Sequence, residues 1–395
     1  MERTVYLDYA ATTPVDPRVT EVMLPYFSQH FGNPNSLYGL GRDAYRALEA
    51  ARESVAADLG AEHPNEVIFT SGGTESDNAA LIGIATRAKP DGGGHLIVSA
   101  FEHHAVLEPA HFLEKHGFEV TYLKPRDDGL VYAEDVRAAL KPNTVLVSVM
   151  HGNNELGTVQ PIREIADVVH AAGALVHTDA AQTLGKVELD VRALGVDAAS
   201  FSGHKIYGPK GTGVLYLKRR TPFAPYVMGG GQEFKKRSGT QNVPGALGFA
   251  EALRIMLEEF PTEVPRLVAL RDRIIEGVTS TLENTQATAK GDPRLPNIAH
   301  LLINGVEGEA MLLQLDAKGI AVSTGSACSS GSLEPSHVLL SIGCPAELAH
   351  GSLRAAVGRY TTTEDVEYFL EVFPPIVERL RAMSPVYQKM FGTAK

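Results

Sequence analysis

Between residues 66 and 217, short apolar runs alternate with stretches whose apolar residues recur at helical spacing. No other feature limits the fold of this chain as strongly. EVIFT (66–70), HLIVSA (95–100), FEVTYL (118–123), TVLVSVM (144–150), ALVHT (174–178), AASFS (198–202) and GVLYL (213–217) read as strands. Helical segments separate most of them, such as PIREIADVVHAAG (161–173), which opens on proline and closes on glycine. The alternation predicts an α/β chain with a mostly parallel central sheet covered by helices on both faces. Ligands of such sheets sit beyond the carboxyl ends of the strands. The turns after Thr70, Ala100, Met150, Thr178 and Ser202 are therefore expected on one rim.

From about residue 246 the pattern changes. A long helical stretch runs through LGFAEALRIMLEEF and RLVALRDRIIEGVTSTLE, with strand candidates at IAHLLI (298–303) and IAVST (320–324) and a further helix over 364–383. GDPRLPN (291–297) reads as a loop. Residues 246–265 are taken as the bridge between two units: a large domain over 15–255, and a smaller α+β domain made of 1–14 and 256–395.

Composition narrows the function. Of 395 residues, 44% are hydrophobic and 21% charged, as in an ordinary globular protein. A formal net charge of -11 argues against non-specific nucleic-acid binding. There is no apolar run of membrane-spanning length, and MERTVYLDYAATTP lacks a signal pattern, so no membrane partner and a cytoplasmic location are expected. Two cysteines, Cys328 and Cys344, are too few for a disulfide framework or a structural zinc site. The fourteen histidines include no HExxH or HxxEH spacing, so no metal site is expected.

The proposed rim carries chemistry. SGGTES (71–76) joins a strand to a helix and can present backbone N–H groups to an anion. FEHHAVL, HGNNELG (151–157) and HTDAAQ (177–182) follow later strands, the last placing Asp179 at a strand end. SFSGHK (200–205) follows another and ends on Lys205. Each piece alone has a structural reading: a tight turn, a capped helix, a surface lysine. Together they supply what pyridoxal phosphate requires: a lysine amine for its aldehyde, a carboxylate for its ring nitrogen, an aromatic face and an anion site.

In these motifs the chain resembles the cysteine desulfurases, in the class V aminotransferase group of fold type I pyridoxal-phosphate enzymes. The likeness runs in order through YLDYAATTPVDP (6–17), FGNPNS (31–36), SGGTESDN (71–78), EHHAVL (102–107), NNELGTVQPI (153–162), HTDAAQ, SFSGHKIYGPKG (200–211), GGGQE (229–233), RSGTQNV (237–243), GSACSSGSLEPSHVL (325–339) and LRAAVGRYTT (353–362). It implies that Lys205 is the Schiff-base lysine, Asp179 the partner of the ring nitrogen, and Gln182 the partner of the ring hydroxyl. His103 would stack on the ring and take part in catalysis, with Asn154 beside the cofactor and substrate. Gly73, Thr74, Ser202 and His204 would hold the phosphate. Thr240 would reach the phosphate of a second subunit, which implies a homodimer. Arg354 would clamp the substrate carboxylate, a role suited to the rigid donor fork of a guanidinium.

Pyridoxal phosphate does not by itself define the reaction. Cys328 lies among serines and glycines, the composition of an exposed loop, whereas Cys344 in SIGCPAEL reads as structural. The resemblance implies that Cys328, as thiolate, attacks the sulfur of L-cysteine and keeps it as a persulfide, with alanine released. The stretch from Cys328 to HVL resembles the subgroup with an extended loop, which delivers sulfur to iron–sulfur scaffolds or sulfur-carrier proteins. The alternatives are a selenocysteine lyase, an aminotransferase of the same class, which has no need of Cys328 on such a loop, and a scaffold protein that kept the fold without the activity.

Overall fold

The computed structural model describes residues 4–289, 292–324 and 335–391. Its first strand, β1 (Val5–Tyr6), is separate from the central sheet. That sheet consists of β2 (Val67–Thr70), β3 (His95–Ser99), β4 (Glu119–Leu123), β5 (Thr144–Ser148), β6 (Leu175–Asp179), β7 (Ala198–Ser202) and β8 (Gly213–Leu217). The strand order is β2-β8-β7-β6-β5-β3-β4. The pairs β7/β6, β6/β5, β5/β3 and β3/β4 are parallel, and β8 runs antiparallel to both of its neighbours. The carboxyl ends of β2, β3, β5, β6 and β7 consequently share one rim, where the N-terminal end of β8 also lies.

The strands are apolar along their length because both faces are covered. Successive side chains point to opposite sides. Leu96 and Val98 pack with Leu81, Ile84 and Val106 on one face, while Ile97 packs with Ile162, Ile165 and Val169 on the other. The helix Ile162–Ala171 shows how the covering elements form: Ile162, Ile165, Ala166 and Val169 recur at helical spacing and make one buried stripe. Only β4, at the edge, keeps partly exposed side chains throughout.

A second apolar cluster lies away from this sheet. It is built on β9 (Thr285–Ala287), β10 (Ile298–Ile303), β11 (Ile320–Ala321) and β12 (Ser352–Ala356). The antiparallel order is β12-β10-β9, with β1 and β11 paired in parallel. The helix Thr363–Met383 contributes Val366, Phe369, Phe373 and Val377 to this cluster.

The long helix Val243–Thr281 joins the two clusters, and the sequence pattern resolves it only as two stretches. Phe249, Leu253 and Ile255 pack into the central-sheet cluster, and Leu267, Leu270, Ile274 and Val278 into the second. Pro261 and Pro265 fall where the helix passes from one cluster to the other, and Pro261 is exposed. There the backbone is continuous although the apolar periodicity is interrupted.

Candidate active site

A cavity of about 600 Å³ opens at the rim. Lys205 reaches it from the turn Gly203–Lys205 that ends β7. Its Nζ donates to the carbonyls of Ala10 (2.6 Å) and Ala11 (2.7 Å), which the N-terminal segment brings across the sheet. That segment is held in turn by Thr13, whose backbone N–H and hydroxyl both donate to the His204 carbonyl at 3.0 Å. Lys205 thus works in an enclosed setting built from two distant parts of the chain.

Asp179 ends β6 and is buried, with Oδ1 accepting from the Ala181 N–H at 2.9 Å. Burial raises its pKa above the ordinary carboxylate value, and the nearby Lys205 charge pulls the other way. Gln182, one turn further on, donates from Nε2 to the Ala10 carbonyl at 2.9 Å, while its buried Oε1 has no hydrogen-bond partner among the described residues. His103 caps the helix His104–Lys115 by accepting the Ala105 N–H on Nδ1 at 3.0 Å. Burial, followed by the Lys205 charge, pushes its pKa down to about 4, so the ring is neutral near pH 7. A neutral imidazole at the cavity wall suits contact with the face of an aromatic ring.

The opposite end of the cavity is made for an anion. The helix Gly73–Ala88 begins directly after β2 with no side-chain cap at Gly72, so its first turn faces the cavity through Gly73 and Thr74. A Cβ on Gly213 would stand 2.6 Å from the Gly72 backbone, so only glycine lets β8 lie this close under the turn. Ser202 and His204 line the same end. Glu75 is held to the side, accepting from the Ser71 N–H (2.9 Å) and Arg237 Nε (2.8 Å).

Arg354 comes from the second sheet, on β12. It is buried, donating from Nη2 to Asp8 Oδ1 at 2.9 Å and from Nη1 to the Asn154 carbonyl at 2.8 Å, and its Nε has no hydrogen-bond partner among the described residues. Asn154 therefore stands beside Arg354, with its backbone carbonyl as the contact.

The sequence-expected residues Gly73, Thr74, His103, Asn154, Asp179, Gln182, Ser202, His204, Lys205 and Arg354 all line this one cavity. Thr240 does not: it is exposed on the surface of its own chain. Cys328 lies outside the described residues. Cys344 is a partly buried free thiol whose pKa burial raises, the opposite of what an attacking thiol requires. Among the described residues no group of three or more His, Cys, Asp or Glu side chains is placed to hold a metal ion, and no helix is long and apolar enough to cross a membrane.

Some contributors escape a reading of side chains. The carbonyls of Ala10 and Ala11 leave no side-chain signal. Asp8 stands in a quoted motif but shows its role only when β12 brings Arg354 to it. Asp77 and Glu102 are buried near Asp179, and among the described residues Asp77 Oδ1 and Glu102 Oε2 have no hydrogen-bond partner, although His177 Nε2 stands 3.6 Å from the former. Burial raises both, Asp77 well above the ordinary value and Glu102 to about 8. Each influences or is influenced by the Asp179 charge.

The groups gathered at this cavity complement pyridoxal phosphate. A primary amine, a buried carboxyl and an orphaned amide oxygen stand at one end, and an uncapped helix start with glycine-lined space at the other. These match the cofactor's aldehyde, ring nitrogen, ring hydroxyl and phosphate.

Comparison with known proteins agrees. Residues 5–369 match the aminotransferase class-V family. The chain is 49% identical over 389 residues to cysteine desulfurase IscS of Dictyoglomus turgidum, covering 98% of each protein. It is 48% identical over 391 residues to cysteine desulfurase IscS of Methanosarcina thermophila, covering 99% of this chain and 96% of that one. Among solved structures, a NifS-like protein superposes with a TM-score of 0.88 at 38% identity, over 96% of this chain and 99% of the other. The NifS-like protein of Rickettsia africae superposes with a TM-score of 0.85 at 30% identity, over 95% of this chain and all of the other.

Proposed function

The chain belongs to the aminotransferase class-V family and, within it, to the cysteine desulfurases, and from that premise we propose that Lys205, Asp179 and Cys328 carry its reaction. It is a pyridoxal-phosphate enzyme that takes sulfur from L-cysteine. Bound, the cofactor supplies an electron sink for the pair released at the substrate Cα. Lys205 holds the cofactor through its amine and moves the proton at Cα. Asp179 holds its charge against the ring nitrogen, Gln182 offers its free Oε1 to the ring hydroxyl, and His103 covers the ring face. Gly73, Thr74, Ser202 and His204 hold the phosphate. Arg354, already oriented by Asp8 and the Asn154 carbonyl, binds the substrate carboxylate.

The sulfur step belongs to Cys328. Its thiolate attacks the substrate sulfur, so an S–S bond forms while the C–S bond breaks. The electron pair of that bond stays with the carbon, which takes a proton to become alanine. The persulfide then passes its outer sulfur to an iron–sulfur scaffold or a sulfur-carrier protein. We read the enzyme as a cytoplasmic homodimer in which Thr240 of each chain completes the phosphate site of the other, which accords with its exposure here. We place the division at 15–255 and 1–14 with 256–395: Val5 and Leu7 pack with Leu267, Leu301, Leu353 and Phe369 in one cluster, although Tyr9, Val338, Leu339 and Ala349 pack into the central-sheet one.

The observation that carries this reading is the convergence of Lys205, Asp179, Gln182 and Arg354 on one cavity from separate strands and both sheets. Borohydride reduction of the cofactor-loaded protein, followed by peptide mass spectrometry, tests it. The reduced cofactor is expected on Lys205, and Lys205→Ala should lose turnover altogether. The adduct on Lys186 or Lys210 instead would refute the assignment.

A further inference from the structure

A second lysine is buried directly behind Lys205. Lys186 is 5% exposed, and its Nζ donates to the carbonyl of Gln182 at 3.2 Å and to the carbonyl of Lys205 itself at 3.3 Å. No carboxylate among the described residues forms an ion pair with it. The chain makes this burial possible at Gly185, whose φ of +69° is in the left-handed region and where a Cβ would stand 2.8 Å from Met256 Cβ. The turn is thereby pressed against the helix Val243–Thr281, and Lys186 is directed inward. An unpaired ammonium in such a place is costly, because carbonyl dipoles replace water only in part. A structural clamp between two carbonyls does not need a charge at all.

We propose that Lys186 is a positioning residue for the amine of Lys205: it ties the Gln182 turn to the Lys205 turn, and its positive charge opposes a second positive charge on Lys205. This rests on the reading of Lys205 as the cofactor lysine. A lysine bonds to an aldehyde through its neutral amine, and a neighbouring cation in a desolvated site favours that form. The carbonyls of Ala10 and Ala11 favour the ammonium, so Lys205 needs an opposing influence. Lys186 supplies it from the far side. The charged and titratable groups in this region are Lys205, Lys210 and His204, with Asp179, Asp8 and His103 facing Lys205; the two carboxylates, like the carbonyls, favour its ammonium. Burial and then the Lys205 charge bring Lys186 down to about 7, and burial, followed by the charges of Lys205, Lys210 and Lys186, brings His204 down to about 4.

The test is a pH titration of the cofactor absorbance in purified, pyridoxal-phosphate-loaded protein, with folding checked by circular dichroism. Lys186→Met and Lys186→Gln are expected to raise the titration midpoint by about one pH unit, a roughly tenfold change in proton affinity. Lys186→Arg keeps the charge and should titrate at or below the wild-type midpoint. Glutamine can still donate to a carbonyl, so it separates charge from clamping, and it decides the question if the methionine variant does not fold. A Lys186→Gln midpoint equal to wild type, or a Lys186→Arg midpoint that rises, would overturn the proposal. Lys205→Ala serves as control: if the titrating band survives in it, the assignment of Lys205 itself has failed, whatever the Lys186 variants do.

Discussion

Two sets of buried charged and polar groups in this molecule are solved in opposite ways. Arg52 and Glu233 form a closed unit. The guanidinium donates to both carboxylate oxygens, at 2.6 and 2.8 Å, and two further donors go to the Val67 carbonyl and Glu49. Glu233 also accepts the Phe69 N–H at 3.0 Å, and the rings of Phe69 and Phe234 lie about 5 Å from the guanidinium carbon. This closure anchors three successive residues with positive φ, Glu233, Phe234 and Lys235. Groups of the cavity are as deeply placed and remain open: among the described residues Gln182 Oε1, Asp77 Oδ1 and Arg354 Nε have no hydrogen-bond partner. Folding tolerates an unmatched buried polar atom only at a cost, so a cluster of them around one cavity marks where binding completes the structure. The ion pair serves stability, and the open set serves chemistry.

Substitutions on the two sides should therefore part company. Asp179→Asn keeps size and shape but loses the charge opposite the ring nitrogen. Its turnover should fall by about two to three orders of magnitude, with the thermal midpoint near wild type. A folded Asp179→Asn protein with near-normal turnover would mean that another residue serves that nitrogen.

Glu233→Gln should do the reverse. Breaking one side of a buried pair leaves an uncompensated charge, at a cost of about 3–5 kcal/mol in unfolding free energy, while turnover per folded molecule changes little. Denaturant unfolding measured alongside steady-state kinetics checks both. Arg354→Lys preserves the charge but not the donor fork, and should raise KM for L-cysteine by about tenfold with a smaller effect on kcat.

A further effect, seen only as pH varies, is expected at Glu102. Its folded pKa, about 8, lies above the ordinary value of 4.5, so between these the folded state binds the extra proton. Stability from this group is present at low pH and is lost as pH rises through that window, by up to about 1.4 kcal/mol per pH unit. Glu102→Gln should flatten the decline between pH 5 and pH 8, roughly the same window. An unchanged slope would show that the carboxyl is ionised in the folded protein.

The contrast also explains what can be read from the sequence. β2, β3 and β5 to β8 are legible because strands covered on both faces are largely apolar, and β4 because Val120, Tyr122 and Leu123 keep it apolar enough at the edge. β1 and β9, of two and three residues, are too short to show any period, and IAVST forms a strand only at Ile320–Ala321, with a single bridge from Ser323 to Arg354 beyond it. The helix Val243–Thr281 reads as two because each half answers to a different core. In the site, Lys205, Asp179, Gln182 and Arg354 are legible because their chemistry is in the side chain. Ala10 and Ala11 act through carbonyls and are silent, and Lys186 in TLGKVEL has the look of a surface lysine until Gly185 turns it inward. Glu233 is quoted within GGGQE, but its partner Arg52 stands 181 positions away.

The central claim is that sulfur leaves L-cysteine through Cys328 after the cavity groups have prepared the substrate. The most direct measurement follows alanine, sulfide and protein persulfide together when the wild-type protein and Cys328→Ser are mixed with L-cysteine, while the cofactor spectrum is recorded. A serine hydroxyl is a far poorer nucleophile at neutral pH than a thiolate. The account predicts that Cys328→Ser still shows the substrate-induced spectral change but forms no persulfide and releases almost no sulfide. Sulfide release at the wild-type rate, or persulfide appearing on Cys344, would contradict it.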